Sequence, residues 1–327
     1  MLTHETAPPG ARGRRRGRAR SVPPGGSPAG GRATGGGLGR GVTPYILLLP
    51  AMVITAGLLA WPLVKNGMLS FQNLNMKQLI QHLTEWIGFD NYKDVLGSED
   101  FWRVTGRSVV FTGVNVILIM IGGTLVGLFL ARLGRKMRLV LSVALILAWA
   151  MPPVAATTVY QWLFASRFGV VNYVFGLGDY NWLGGQFTTF FVITILIVWA
   201  SIPFVAFNLY AATTTIPREH YEAAKVDGAG TWKLWSYVTY PALKPFILAT
   251  TFLEVIWVFK SFTQVYTINQ GGPERLTETL PVYAFVEGVG NQHYGMGAAI
   301  SLLTILVLLG LTSYYMRLAL KQDEEQS

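Results

Sequence analysis

Two charged side chains lie inside a strongly apolar stretch, residues 246–267, and are the first candidates for chemistry. Glu254 and Lys260 are six residues apart, which corresponds to about 9 Å along a helix axis and to different faces of that helix, so they do not form a simple pair. A charged group within an apolar helix is costly and usually faces protein or water. We therefore expect both side chains to line a polar pathway. The alternative for Lys260 is that its amine reaches the nearby membrane boundary.

Four further side chains suit a site for a neutral, polyhydroxylated ligand: Trp257, Gln264, Gln161 and Asn208. An aromatic ring offers a flat surface to the C–H groups of such a ligand, while amides donate and accept hydrogen bonds with its hydroxyls. The same residue types also serve in ordinary packing between membrane helices. The sequence thus predicts ligand contacts and leaves helix packing as the alternative.

Motifs for catalysis and for metal or cofactor binding are not found in the sequence. It has no Gly-x-x-x-x-Gly-Lys-Ser/Thr loop, which an ATPase of the common type requires. The four histidines, His4, His82, His220 and His293, are far apart and lack metal-site spacing. There is no cysteine, which excludes disulfides, zinc-thiolate sites and thiol nucleophiles. We therefore expect a non-catalytic chain without a cofactor.

The composition is typical of an integral membrane protein. Of 327 residues, 51% are hydrophobic and 13% charged, whereas a soluble domain carries about a quarter charged residues. Six segments are long and apolar enough to cross the hydrocarbon as helices, at roughly 45–64, 108–131, 139–163, 188–212, 246–267 and 296–317. The predicted fold is therefore all-α, with a transmembrane domain over residues 42–320.

The distribution of basic residues predicts the orientation. With the amino terminus inside, the inner segments carry 18 Lys and Arg and the outer loops carry 7, so both termini are expected in the cytoplasm. Residues 1–41 are rich in Gly, Pro and Arg and contain too little apolar surface to fold, which predicts a disordered basic tail. We interpret its arginines as an orientation signal rather than a patch for RNA or anionic lipid, and expect no nucleic-acid partner. Residues 321–327 form a short acidic tail.

Prolines and helical spacing single out three of the predicted membrane helices. Pro152 and Pro153 must interrupt the third, and Pro203 is expected to do the same in the fourth. Steps of three or four residues predict three mixed polar and aromatic faces: Trp149, Pro153, Thr157 and Gln161 in the third helix, Ser201, Phe204 and Asn208 in the fourth, and Trp257, Lys260, Gln264 and Thr267 in the fifth, with Glu254 and Ser261 alongside Trp257. In the second helix, small residues at steps of four predict close packing: Gly123, Gly127 and Ala131.

The positions of proline and glycine in the polar interval 213–245 indicate folded helices rather than a linker. Pro217 is expected in the first turn of a helix, and Gly228 in a left-handed cap at its end. Thr231 is expected to cap a second short helix, whose length Pro241 limits. The prediction is a helix, a glycine hinge and a second helix on the cytoplasmic side, which indicates a docking surface.

The interval contains Glu222-Ala223-Ala224, then Asp227-Gly228-Ala229, with Pro241 closing the second short helix. These residues resemble the EAA loop of permease subunits in binding-protein-dependent ABC importers. Four more stretches, in family order, look like the carbohydrate-uptake branch, the permeases of the maltose and glycerol-phosphate type: residues 88–102, 151–164, 259–273 and 294–301.

The resemblance implies a type I ABC importer fold and a heteromeric complex in the plasma membrane of a bacterium. The implied partners are a second permease subunit, a cytoplasmic ATPase dimer and an extracellular, lipid-anchored sugar-binding protein. Glu222 would be the polar anchor to the ATPase, Ala223 and Ala224 the close-contact face, and Gly228 the bend, with Asp227 in the same motif. One departure is Thr263-Gln264, where the family commonly has an acidic residue after Phe, so a sugar and glycerol phosphate both stay open as substrates.

Two other classes of function are weighed against this interpretation. A secondary transporter or channel would work without an ATPase, and would be expected to show an inverted repeat or paired ions within the membrane, neither of which is found in the sequence. A structural or assembly protein of the membrane would differ in the partners that co-purify with it. The favoured expectation is therefore alternating access driven by ATP hydrolysis in separate subunits.

Overall fold

The computed structural model describes residues 43–83 and 85–324, and over these residues it is all-helical apart from two isolated β-bridges. The predicted disordered tail, 1–41, and the last residues of the acidic tail lie outside the described residues. The α-helices are α1 Thr43–Leu69, α2 Met76–Ile80, α3 Asp90–Gly97, α4 Glu99–Arg132, α5 Arg135–Trp149, α6 Pro153–Leu163, α7 Val170–Phe175, α8 Gln186–Thr214, α9 Arg218–Val226, α10 Thr231–Leu234, α11 Tyr240–Phe259, α12 Phe262–Asn269, α13 Leu280–Phe285 and α14 Tyr294–Glu324. Two π-helical segments, Trp235–Thr239 and Val286–Gly290, follow α10 and α13.

The chain divides into two units, one ending at Ala56 and the other beginning at Gly57. The described part of the first unit is the beginning of α1, and the second unit holds all the other helices. The sites considered below lie within the second unit.

Five helical runs are long and apolar enough to cross a membrane: Leu48–Leu69, Glu99–Arg132, Gln186–Thr214, Thr231–Asn269 and Tyr294–Ala319. The helices α5 and α6 pass the same test as a pair, although the chain bends by 96° between them. The six segments expected from the sequence thus correspond to five helical runs and one broken pair.

Close packing of α4 against α8 forms the centre of the second unit. A Cβ atom added at Gly127 would lie 2.8 Å from the Ala206 carbonyl oxygen, and one added at Gly123 would collide with the Val205 side chain. Small residues allow two backbones to approach in this way, which is how membrane helices associate without a hydrophobic driving force. The packing predicted for Gly123 and Gly127 is confirmed, whereas Ala131 is exposed.

Two expected effects of proline were wrong. Pro203 does not interrupt its span, because α8 is continuous from Gln186 to Thr214 and Pro203 is buried within it. Proline is tolerated inside a membrane helix where the surrounding protein accommodates the missing hydrogen bond. Pro241 does not end a short helix either, since α10 continues through the π-helical segment Trp235–Thr239 into α11. The wide π-helical turn accommodates the proline ring, which would otherwise meet a carbonyl one turn earlier.

Candidate functional site

The break between α5 and α6 opens a cavity in the middle of the spanning helices. Pro152 precedes α6 in an extended conformation, and the chain turns by 96° between the two helices. The single face expected to run from Trp149 to Gln161 was therefore wrong, because Trp149 ends α5 while Pro153 begins α6. The bend nevertheless places Trp149 and Pro153 on the wall of the same cavity.

The cavity has a volume of about 270 Å³, and three parts of the fold form its walls. The polar and aromatic lining residues come from the α5–α6 break, from α8 and from the α11–α12 region, and include Trp149, Ser201, Trp257, Ser261 and Gln264. The Trp257 ring packs against Phe204, with ring centroids 4.7 Å apart. Of the described residues that line this cavity, none is charged. An aromatic face beside hydroxyl and amide groups is suited to a neutral ligand.

Two other residues predicted to contact a ligand form hydrogen bonds with backbone carbonyls. The Gln161 amide Nε2 donates to the carbonyls of Thr267 and Ile268, at 2.6 and 2.9 Å, and so joins α6 to α12. The Asn208 amide donates to the Phe204 carbonyl one turn earlier on α8, at 2.9 Å. Neither side chain is among the residues that line the cavity.

Glu254 is fully buried on α11, one turn before Trp257. The Ser201 side chain faces it from α8. Neither carboxylate oxygen has a hydrogen-bond partner among the described residues. Burying a hydrogen-bond acceptor without a partner costs free energy, so the Glu254 carboxyl is expected to destabilise the packing of this region.

Lys260 lies where α11 ends, and α12 begins two residues later at Phe262. The continuous face predicted for the fifth span is therefore wrong, since the helix is interrupted between Trp257 and Gln264. Both of these side chains still reach the cavity, whereas Lys260 is exposed outside it.

The polar interval forms an exposed helix followed by a turn. Glu222 and Ala223 are exposed on α9, Ala224 is half-buried, and Asp227 occupies the position after the helix. Gly228 has φ +76°, which permits the left-handed turn that was expected there. Pro217 precedes α9 rather than lying in its first turn, and Gly230 rather than Thr231 occupies the cap of α10.

One hydrogen bond connects α9 with the π-helical segment Trp235–Thr239: the hydroxyls of Tyr221 and Thr239 lie 3.1 Å apart. Val226, at the end of α9, is 87% exposed and adds an apolar side chain to this surface. Glu222 has no ion-pair partner within the described residues. An exposed helix with a free carboxylate beside small and apolar side chains is suited to docking against another protein.

An ion network between α12 and α14, in which an exposed arginine pairs with two largely buried carboxylates, was not expected from the sequence. The Arg275 guanidinium donates to Glu278, at 2.9 Å, and to Glu287, at 2.8 Å, while Arg107 donates to the carbonyls of Arg275 and Glu278. Burial raises the pKa of the Glu278 carboxyl although Arg275 opposes that effect. At Glu287 burial acts in the same direction, but hydrogen bonds from Asn291 and Arg275 outweigh it and lower the pKa.

More than half of the chain matches the model of a known protein family. Residues 123–323 match the family described as the binding-protein-dependent transport system inner membrane component. The chain belongs to this family. The expectation of an ABC importer permease is thereby confirmed, and the chain is a non-catalytic, multi-pass membrane subunit whose ATPase is a separate polypeptide.

Named relatives of this permease cover nearly the whole chain. It is 67% identical over 320 residues to the diacetylchitobiose uptake system permease protein DasB of Streptomyces coelicolor, a match that covers 93% of this chain and 98% of that protein. It is 30% identical over 280 residues to the trehalose/maltose transport system permease protein MalF of Thermococcus litoralis, which covers 84% and 92% of the two chains.

The fold of the permease is shared with a solved transporter. A chain of a bacterial ABC transporter involved in the import of the acidic polysaccharide alginate superposes with a TM-score of 0.75 at 20% identity, covering 85% of this permease and 95% of that chain. At this identity the likeness concerns the fold alone. The described residues therefore have the helical fold of an ABC importer permease, as the sequence predicted.

Proposed function

We propose that this permease is part of an ATP-driven importer that moves a sugar across the plasma membrane of a bacterium by alternating access. The observation that carries the proposal is α9, an exposed helix with the sequence Glu222-Ala223-Ala224 in a chain without a phosphate-binding loop. A permease of this kind needs an external ATPase, and α9 offers a docking surface for one. Glu222 would accept a charge-assisted hydrogen bond, and Ala223 and Ala224 allow close approach. Gly228 provides the turn that follows Asp227.

The proposed orientation places both termini and α9 in the cytoplasm. The excess of basic residues on that side, 18 against 7, supports it. Coupling then requires that α9 contact the ATPase differently in the inward-open and outward-open states, because a partner shifts an equilibrium only through differential binding.

The proposed complex contains a second permease subunit, an ATPase dimer and an extracellular, lipid-anchored sugar-binding protein. The size of the central cavity supports a second permease: about 270 Å³ is below the roughly 300 to 1,000 Å³ of ordinary ligand pockets. We infer that the second permease supplies the remaining wall of the pathway, and that Trp257 and Gln264 supply this chain's part of it.

The proposed substrate is a neutral sugar. The cavity offers aromatic, hydroxyl and amide groups, and no charged side chain of the described residues lines it, so a phosphate ester would find no counterion there. This favours a sugar over glycerol phosphate. The name of the 67% identical relative makes diacetylchitobiose the first sugar to test.

The test is reconstitution of the complete complex in proteoliposomes, with labelled diacetylchitobiose and the binding protein outside and ATP inside. We expect uptake that depends on ATP and on the binding protein, and that excess glycerol phosphate does not inhibit. Uptake that persists when the ATPase is inactivated would instead support a secondary transporter or channel.

A further inference from the structure

An apolar groove beside α9 lies apart from the central cavity. It has a volume of about 940 Å³ and runs between α4 and the segment from α10 to α11. Its walls are Ile121, Leu125 and Leu128 on one side and Trp232, Trp235 and Ile247 on the other. An apolar groove of this size in a membrane protein is filled either by another helix or by lipid.

The mouth of the groove is basic. Arg132, the last residue of α4, and Lys225, in the last turn of α9, both line it, together with the hydroxyls of Tyr221 and Thr239. Within the described residues, neither Arg132 nor Lys225 has an ion pair or side-chain hydrogen bond. Two free cations above an apolar groove complement a molecule with an anionic head and an apolar tail.

The length of the groove distinguishes lipid from protein partners. Eleven residues of α4 separate Ile121 from Arg132, which corresponds to about 16 Å along the helix. That is close to half of the roughly 30 Å hydrocarbon layer, the depth that one leaflet occupies. A soluble ATPase does not reach that depth, and an apolar helix from another subunit offers no anionic group to Arg132 and Lys225, whereas a phospholipid offers both an acyl chain and a phosphate.

We propose that this groove binds one anionic phospholipid, with its phosphate between Arg132 and Lys225 and an acyl chain along α4. Arg132 belongs to the spanning helix and Lys225 to α9, so the lipid phosphate bridges the two elements. Glu222 and Arg218 lie beside this point, because an adjoining cavity of about 580 Å³ is lined by both, and also by Arg132 and Lys225. The lipid therefore binds where α9 meets the membrane, whichever sugar is transported and whichever ATPase docks.

The first test measures lipid retention by the complete transporter complex. The complex is purified, exchanged into nanodiscs of phosphatidylcholine with a small share of phosphatidylglycerol, and its bound lipids are counted by native mass spectrometry. We expect phosphatidylglycerol to be retained selectively, and the double variant R132Q/K225Q to lose about fivefold in affinity for each charge removed. The control is Lys136→Gln, an exposed cation on α5 that does not line the groove. Equal retention by the double variant and the unaltered complex would overturn the proposal.

A second test does not require that the double variant fold. A photo-reactive benzoyl-phenylalanine replaces Leu125 in the groove wall, and the complex is irradiated in membranes that contain phosphatidylglycerol. We expect adducts with phospholipid, and a decrease in them when Thr124→Trp fills the groove. Adducts with the second permease or the ATPase would overturn the proposal. Neither test uses sugar or ATP, so its outcome is independent of the proposed transport function.

Discussion

The indole of Trp257 on α11 packs against the phenyl ring of Phe204 on α8, with centroids 4.7 Å apart and planes inclined by 58°. This contact fixes one face of the ring and leaves part of the indole on the wall of the central cavity. Aromatic pairs of this kind contribute about 0.5 to 1.5 kcal/mol beyond their buried area. Trp257 therefore takes part both in the packing of α11 against α8 and in the surface that a ligand would contact.

Replacing Trp257 with alanine is expected to reduce sugar uptake about tenfold, because the ligand loses an aromatic face, while assembly of the complex is retained. Trp257→Phe should keep most of the activity. The measurement is the initial rate of uptake against sugar concentration in proteoliposomes. Trp162→Ala, an exposed tryptophan on α6 outside the cavity, is the control. Unchanged kinetics in the Trp257→Ala variant would remove this residue from the pathway.

Glu222→Ala is expected to weaken recruitment of the ATPase or to uncouple hydrolysis from uptake, because it removes the free carboxylate from α9. Membrane insertion should be unaffected, since Glu222 is exposed. Co-purification of the ATPase and the ratio of ATP hydrolysed to sugar imported report the two effects. Glu219→Ala, an exposed carboxylate in the first turn of the same helix, is the matched control. Normal recruitment and coupling in the Glu222 variant would contradict its role.

Gly127→Ala is expected to lower the free energy of unfolding by about 1 to 3 kcal/mol, because the new methyl group would lie 2.8 Å from the Ala206 carbonyl oxygen. Gly113→Ala on the same helix meets no atom within 4 Å. It should be neutral or slightly stabilising, since alanine favours a helix over glycine. Thermal unfolding of the two variants in detergent separates close packing from helix propensity, and equal melting temperatures would contradict the packing argument.

Arg275→Ala is expected to destabilise the protein by about 2 kcal/mol, because it leaves Glu278, which is 2% exposed, without its partner. Burial already raises the pKa of Glu278. Without Arg275 nothing opposes the effect of burial to the same extent, so the pKa of Glu278 should rise further. Because a carboxyl with a raised folded-state pKa favours the folded state at low pH, the stability deficit of the variant should narrow as the pH is lowered from neutral into the acidic range. Melting temperatures across that range provide the measurement. Arg103→Ala is the control, since its ion pairs with Glu99 and Asp100 are exposed and worth at most about 1 kcal/mol.

Glu254→Gln is expected to maintain or raise thermal stability, because it replaces a buried carboxyl that has no hydrogen-bond partner in the described structure with a neutral amide. If the carboxyl contacts the sugar, uptake should nevertheless fall. Measuring melting temperature and uptake on the same preparation separates these effects. Unchanged uptake would assign Glu254 to the packing of α11 against α8 rather than to the pathway.

The sequence was sufficient to predict the elements whose signals are local. The number and approximate limits of the apolar helices follow from composition, the turn at Gly228 from one residue, and the contact at Gly127 from small residues at steps of four. These signals require no knowledge of where distant parts of the chain meet. The class of transporter follows from the family resemblance in the interval 213–245, because composition alone predicts only a membrane protein.

The errors arose where the prediction depended on tertiary context. Proline at 152 and 153 breaks a helix, but at 203 it is buried inside a continuous one, and the local sequence does not distinguish the two cases. The two hydrogen bonds that the Gln161 amide donates to the carbonyls of Thr267 and Ile268 were not foreseen, because the sequence does not show where α12 lies relative to α6; its contact with a ligand stays a prediction. Arg275 and Glu278 are near in sequence, but nothing in the local sequence shows that the Glu278 side chain is buried while Arg275 remains exposed.

The continuity of the chain from α10 to α12 has a mechanical consequence. One nearly unbroken run, Thr231–Asn269, begins beside the turn at Gly228 and ends past the cavity residues Trp257 and Gln264. A helix is stiff along its axis, so we expect α11 to transmit a tilt beside α9 to Trp257 and thereby to change the width of the cavity. Gln264 lies beyond the interruption at Lys260, so it is expected to follow such a tilt less closely than Trp257.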